Sequence, residues 1–447
     1  MLSNRRRFLA QLSSVAATNA IMADERPSVL NPRATDGDER HEPKWDDVFS
    51  VTVANRDADL NGSSERVLQA AVDLVAARGG GIVRLLPGKW VLRAAVILRS
   101  GVRLAGSGAD TLITRGPSET IAVSADSDWY DQEITLAKRG SLRPGDGIAL
   151  MAKDPATGRQ TVIKRTIVAR SGTRFKLNDG LRENLWLTSS PTCSTLFPLL
   201  TAEYAQDVVI ENLTLDGNRS NTENFNGNYG GCIFLQDCNR FTMRKVEARN
   251  YNGDGVSFQI CHDVVVEDCW SHGNADLGVH PGSGSQRPLI VRNRLEENNL
   301  GLFWCWGVKY GLAEDNRMLN NRSYGVSIGH NDTDNVMRNN FVSGSGRVGI
   351  LFRDDSRGQD FWANRNLVEK NTIVNSGGDD GVAIDVQGHT RDVQLIGNVI
   401  REDRGAAQRI GIRLGKDSHR ITMTDNQVAG LQNEIVDLRT DSAVRSE

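Results

Sequence analysis

The chain is short of several residue types, and each shortage excludes something. Of its 447 residues only 6% are aromatic, 11 are proline and 6 are cysteine. Past the N-terminus no run reaches the ~18–20 apolar residues of a membrane span. No C-x-x-C pair occurs, so Cys193, Cys232, Cys238, Cys261, Cys269 and Cys305 do not suggest a zinc site. Neither sign of charge dominates, since 53 basic and 56 acidic side chains leave −3. That balance, with 39% apolar residues, excludes a disordered chain. The 44 glycines follow no Gly-X-Y period, which excludes collagen. A chain this long ordinarily divides into two or three domains, but a solenoid escapes that rule by adding rungs.

Residues 1–23 read as an export leader. Asn4-Arg5-Arg6-Arg7-Phe8-Leu9 precedes a short apolar, small-residue stretch through Ala23 and resembles the twin-arginine type. The expected location is therefore periplasmic or secreted. Removal near Ala23 would leave 50 basic against 56 acidic side chains, a net −6. This argues against a general nucleic-acid binder, while a local basic site for an anionic ligand stays open. An oxidising compartment permits disulfides. Cys238 and Cys261 fall in neighbouring repeats and allow one bridge, although buried free thiols are the expected state.

Residues 24–61 are polar and aperiodic, and read as a linker and first cap. Residues 62–118 begin with Ser63-Ser64-Glu65 before Val67, Ala71, Leu74 and Val75, which is helical spacing behind plausible N-cap residues. Gly79-Gly80-Gly81 ends that helix, and short strands follow between Gly and Pro. Residues 119–200 break the pattern, with strand-like runs at 134–136, 147–150, 166–168 and 175–177, and read as an inserted antiparallel excursion. Residues 201–431 are repetitive, and 432–447 form a polar tail.

The repeat is a glycine followed by apolar-x-apolar, at Gly231, Gly255, Gly278, Gly301, Gly325 and Gly349 in steps of 24, 23, 23, 24 and 24. Gly381 and Gly411 continue it after steps of 32 and 30. A period in the twenties with short strands signals a β-solenoid or a leucine-rich repeat, and the leucine pattern is absent. Asparagines crowd the turns instead: Asn252, Asn274, Asn298, Asn299, Asn320 and Asn321. Stacked turn amides bond rung to rung, and Asn tolerates the left-handed turn conformation. The expected fold is all-β: a right-handed parallel β-helix with an N-terminal capping helix and the small insertion.

Alternation sorts the side chains of the strand after each glycine. Positions one and three after it are apolar and face inward; Trp304 is among them. Positions two and four face outward: Ile233 and Leu235, Ser257 and Gln259, His280 and Gly282, Phe303 and Cys305, Ser327 and Gly329, Leu351 and Arg353, Ala383 and Asp385, Arg413 and Gly415. Trp306, His330 and Asp354 stand five after. At ~4.8 Å per rung this wall extends about 34 Å, room for several sugar units. Its scarcity of Lys and Glu suits a ligand groove, and equally a wall covered by the insertion or by a second subunit.

Two stretches resemble a known superfamily. Leu68-Gln69-Ala70-Ala71, Gly79-Gly80-Gly81, Leu86-Pro87-Gly88 and Gly101-Val102-Arg103-Leu104-Ala105-Gly106 resemble the start of pectate-lyase-like β-helices. Thr214-Leu215-Asp216-Gly217-Asn218-Arg219, with Asn221, resembles a segment of bacterial alginate C5-epimerases of the same superfamily. The epimerase motif Tyr-Gly-Phe-Asp-Pro-His, which places Asp and His in the outward column, is absent. Its nearest counterparts are Gly255-Val256-Ser257-Phe258-Gln259 and Gly278-Val279-His280-Pro281-Gly282. The three-aspartate calcium site of pectate lyases is likewise unrecognisable.

The resemblance implies a polysaccharide partner and β-elimination on a uronate chain. Such chemistry needs a base for the C5 proton, an acid for the departing oxygen and a cationic anchor for the carboxylate. The candidate catalytic residues are His280, His330, Arg353 and Asp354. The candidate substrate-binding residues are Ser257, Gln259, Phe303, Trp306, Ser327 and Asp385. His330 and Asp354 share an offset, which predicts ~5 Å between them and a carboxylate favouring imidazolium. His280 and Arg353 are three rungs apart, ~14 Å, too far to act on one atom. Phe303 and Trp306 would form a sugar-stacking platform, while Asp254 reads as a turn residue. No cofactor follows with certainty. Calcium is the one metal considered, on Asp332-Thr333-Asp334, which lacks an EF-loop pattern. Two other readings stand: a glycoside hydrolase using Asp354 and Asp385, and a non-catalytic carbohydrate-binding or cell-envelope protein. Nothing in the sequence sets the oligomeric state.

Overall fold

The computed structural model describes Pro27, residues 42–405 and residues 407–439. The twin-arginine-like leader at 1–23 and positions 440–447 of the expected tail lie outside the described residues.

Short strands separated by left-handed corner residues wind the chain into a coil. One rung runs through Val265–Glu267, Trp270–His272 and Leu277–Gly282. Asp268 (φ 52°) turns the first corner and Gly273 (φ 64°) the second, a conformation that Gly and Asx residues enter at least cost. Stacked rungs give a 21-stranded parallel sheet around two sides and an 11-stranded parallel sheet on the third. This is a right-handed parallel β-helix.

Apolar columns fill the lumen, including Trp304, Phe258 and Phe352 without solvent exposure. Amide ladders hold the corners. Asn293, Asn316, Asn340, Asn371 and Asn398 each donate backbone N–H and Nδ2 to the Oδ1 of the next asparagine at 2.9–3.0 Å, ending at Asn426. Asn274, Asn298 and Asn321 form a second ladder. Of the other expected turn amides, Asn252 bonds Thr222 O and Asn299 accepts from Ser323.

The helix Glu65–Ala77 caps the coil, burying Leu68, Ala71, Val72 and Val75; Leu74 faces outward. Ser64 occupies the N-cap position without a side-chain bond. The supposed linker already contains the first rung, since Ser50–Ala54 pairs with Gly81–Leu85. The supposed tail contributes Asn433–Asp437, paired with Ile410–Leu414. The insertion is a six-stranded sheet whose strands pair antiparallel around its own core, with Phe175 fully buried. It lies on the third wall, where the Lys164 ammonium sits 4.0 Å from the Phe234 ring centroid. Burial there pushes the Lys164 pKa down to about 8.

All six cysteines are free thiols, so Cys238 and Cys261 stack without a bridge. No helix among the described residues is long and apolar enough to cross a membrane.

Two registers differ from glycine counting. Phe234, not Ile233, pairs with Ser257, so Ile233 and Leu235 enter the lumen and Phe234 faces out. Asp385 pairs with Leu351, so Ala383 fills the glycine position and Gly381 belongs to the preceding loop. The outward column therefore runs Thr201, Phe234, Ser257, His280, Phe303, Ser327, Leu351, Asp385, Arg413.

Candidate functional site

The third wall carries the clusters that could do chemistry, and its own loops cover much of it. At its centre His280 meets a residue that the sequence pattern assigns to a turn. His280 Nδ1 lies 2.8 Å from Asp254 Oδ2, and both side chains are buried. The other carboxylate oxygen accepts the Leu277 N–H. Burial pushes the Asp254 carboxyl above its usual range, and the bond to His280 opposes that shift. An ionised Asp254 accepts from Nδ1, and Nε2 is buried with no partner among the described residues.

Ser257 does not complete a nucleophilic triad. Its Oγ donates to Gly227 O at 2.6 Å, accepts from Gln259 Nε2 at 3.1 Å and is 3.4 Å from the same Nδ1. Gly227 belongs to a loop over this end of the wall. A Cβ there would fall 1.7 Å from Asp254 Oδ2, so only glycine fits.

Arg353 reaches this cluster despite the three-rung separation. Its guanidinium lies across Gly329, bonds Ser327 Oγ at 2.9 Å and Trp304 O at 3.1 Å, and stacks 4.4 Å from the Phe303 ring centroid. The His280 ring meets the same Phe303 edge-on at 5.3 Å. One phenyl ring thus bridges the dyad and the cation across the three rungs, because Arg353 folds back along the wall. Its loose carboxylate neighbours are Asp332 at 3.8 Å and Asp355 at 3.9 Å.

A second cluster adjoins it. His330 packs against Trp306 at 4.7 Å and Phe361 at 5.5 Å, and Nδ1 accepts the Arg357 N–H at 2.8 Å. Burial holds His330 below its usual pKa, with Asp355 opposing and Arg357 and Arg353 reinforcing the shift. The predicted His330–Asp354 pair does not form. Asp354 makes no hydrogen bond or ion pair among the described residues and packs near Gly388 instead.

The aromatic platform also differs from expectation. Arg353 covers Phe303, and Arg357 lies 4.6 Å over Trp306, which stays 41% exposed. The outer surface is a guanidinium shelf backed by rings. Asp385 is unavailable as a hydrolytic carboxylate, since Arg413 holds both its oxygens and Gln387 adds a bond. Asp332 is spent on the Gly307, Val308 and Gly329 N–H groups, and Asp334 on Arg365. That run therefore offers calcium no free carboxylate set, and no metal-binding group occurs among the described residues.

Residues 202–361 match the family model for a right-handed β-helix region. No curated protein matches the sequence. Among solved structures, a surface adhesin of Streptococcus pneumoniae is similar at TM-score 0.53 and 12% identity, over 86% of this chain and 93% of that one. Polygalacturonase from Erwinia carotovora ssp. carotovora is similar at TM-score 0.51 and 12% identity, over 90% and 100%. The A-module of a mannuronan C-5 epimerase from Azotobacter vinelandii gives TM-score 0.48 and 16% identity, over 87% and 100%. At these identities the likeness concerns the fold alone.

Proposed function

We propose that this chain, a right-handed parallel β-helix of the pectate-lyase-like superfamily, is an exported carbohydrate-active enzyme acting on a uronate-containing polysaccharide. The observation that carries the reading is the buried Asp254–His280 pair, with Nε2 unsatisfied and Arg353 on the shared Phe303 ring. In this reading Arg353 holds the uronate carboxylate and His280 Nε2 removes the C5 proton. Asp254 keeps Nδ1 protonated and stabilises the imidazolium that forms. The C5–H electrons become the C4–C5 double bond as the C4–O bond breaks and the leaving oxygen takes a proton. Return of the proton to the opposite face would instead give epimerisation. Because the His280 side chain is only 4% exposed, turnover requires its cover to move, and in this reading the segment that moves is the Gly227 loop packed on Asp254 and Ser257.

The test is to incubate the purified mature chain with a panel of uronate polysaccharides. The expected result is ultraviolet absorbance from the conjugated product, or C5 inversion by proton NMR, lost in His280→Gln. Chain shortening without absorbance would mean hydrolysis and overturn the reading. Binding with no chemistry on any polymer would leave a non-catalytic carbohydrate binder. Export is checked by cell fractionation, where replacing Arg5 and Arg6 with Lys should retain the chain in the cytoplasm.

A further inference from the structure

The epimerase-like stretch that begins at Thr214 plays no part in the wall. It lines a separate pocket of about 700 Å³ at the corner leading into the third sheet, bordered by Asp216, Arg219, Asn250, Glu297, Asn320 and Arg322. The two arginines here differ from three corner arginines elsewhere on the coil, each paired with a carboxylate one rung back. Arg292 holds Asp268, Arg365 holds Asp334 and Arg420 holds Asp392, each through two nitrogens. Arg219 and Arg322 form no ion pair among the described residues. They are fastened by main-chain carbonyls instead: Arg219 by Gly273 O at 3.0 Å, and Arg322 by Glu297 O at 2.7 Å and Ala275 O at 2.5 Å. Carbonyls orient a guanidinium without neutralising it, and Arg219 retains four of its five N–H donors.

Two positioned cations without an ion-pair partner among the described residues border one pocket; Asp276 offsets Arg322 only at a distance and Asp216 is held by Arg249, so the pair attracts an anion. The border supplies the rest of a sugar's requirements, because the Asn250 and Asn320 amides and the exposed Glu297 carboxylate suit ring hydroxyls. A bare anion would gain nothing from Glu297.

We propose that this corner pocket is a binding site, separate from the His280 wall, for one acidic sugar unit, its carboxylate held between Arg219 and Arg322. The ligand class rests on the acidic-polysaccharide reading above, but the site does not depend on catalysis. Arg219 also begins the stretch that continues to Gly227, whose carbonyl accepts from Ser257 Oγ.

The test uses the full mature chain carrying His280→Gln, which cannot consume ligand, titrated calorimetrically with galacturonate and mannuronate trimers. In that background, Arg219→Gln with Arg322→Gln should remove one binding event or weaken it at least about tenfold, the scale of a lost charge-assisted pair. With His280 restored, the arginine variants should retain turnover on short substrate. Unchanged stoichiometry and affinity would overturn the inference while leaving the enzyme reading intact. Equal binding of a neutral trimer, or of inorganic phosphate, would overturn the ligand class. Trimer binding that depends on both arginines, in a protein without turnover, would sustain the pocket and refute only the enzyme.

Discussion

Asp254 and His280 meet across adjacent rungs, Oδ2 to Nδ1 at 2.8 Å, inside a site closed by the protein's own loop. Oδ1 is already committed to the Leu277 N–H, so Oδ2 is the oxygen left to accept from His280 Nδ1 when Asp254 is ionised.

That commitment makes Asp254→Asn informative. The amide oxygen must stay on Leu277, so Nδ2 would face His280 and force the proton onto Nε2. We expect turnover to fall by about 10²–10⁴ with little change in substrate affinity. His280→Gln should do the same, and the double variant should be no worse than either single one. Steady-state kinetics on an active uronate polymer, with circular dichroism as the folding control, decides it. Additive losses would mean that the two residues do not act as a unit.

Gly227→Ala tests the covering loop. The new methyl cannot coexist with Asp254 Oδ2, so the loop must shift and the bond from Ser257 to Gly227 O must break. The expected outcome is a thermal midpoint lowered by the equivalent of about 1–3 kcal/mol, with faster hydrogen exchange confined to the loop. An unchanged exchange pattern would contradict the packing.

His330 predicts a pH dependence of stability. Its neutral ring accepts the Arg357 N–H, and burial lowers its pKa, so the unfolded chain binds this proton more readily than the folded one. Stability should therefore be complete above the unfolded value of about 6.5 and decline as pH falls toward the folded value. Denaturant midpoints measured from pH 7.5 to 5 should show that decline, and His330→Gln should flatten it. A variant with the wild-type slope would assign the effect elsewhere.

Asn340→Ala interrupts the longest amide ladder. It strands the Asn316 N–H and removes the donor to Ala313 O. A loss of about 1–3 kcal/mol in urea unfolding is expected, because both groups are buried.

The fold was largely legible because a coil repeats its demands on the chain. Spaced glycines, alternation and turn amides each restate one rung. Counting failed at Gly231 and Gly381, where a loop changed length without changing the local pattern and only strand pairing reveals the register. Ser257, Gln259, His280, Phe303, Ser327 and Arg353 do share a wall, as alternation requires. Asp254 was missed because it precedes the strand, where alternation says nothing of side-chain direction. Asp354 was mispaired because an offset fixes a Cα and not the path of the loop beyond it.

The sequence by itself determined the coil, its inward columns and the general line of polar residues on one wall, since periodic burial of apolar side chains leaves few other solutions. Tertiary structure alone decided which of those residues meet. The fold-back of Arg353, the packing of Gly227 on Asp254 and the unpaired arginines at the corner pocket depend on long side chains and loops. Their courses answer to neighbours more than twenty residues away, and no local pattern records them.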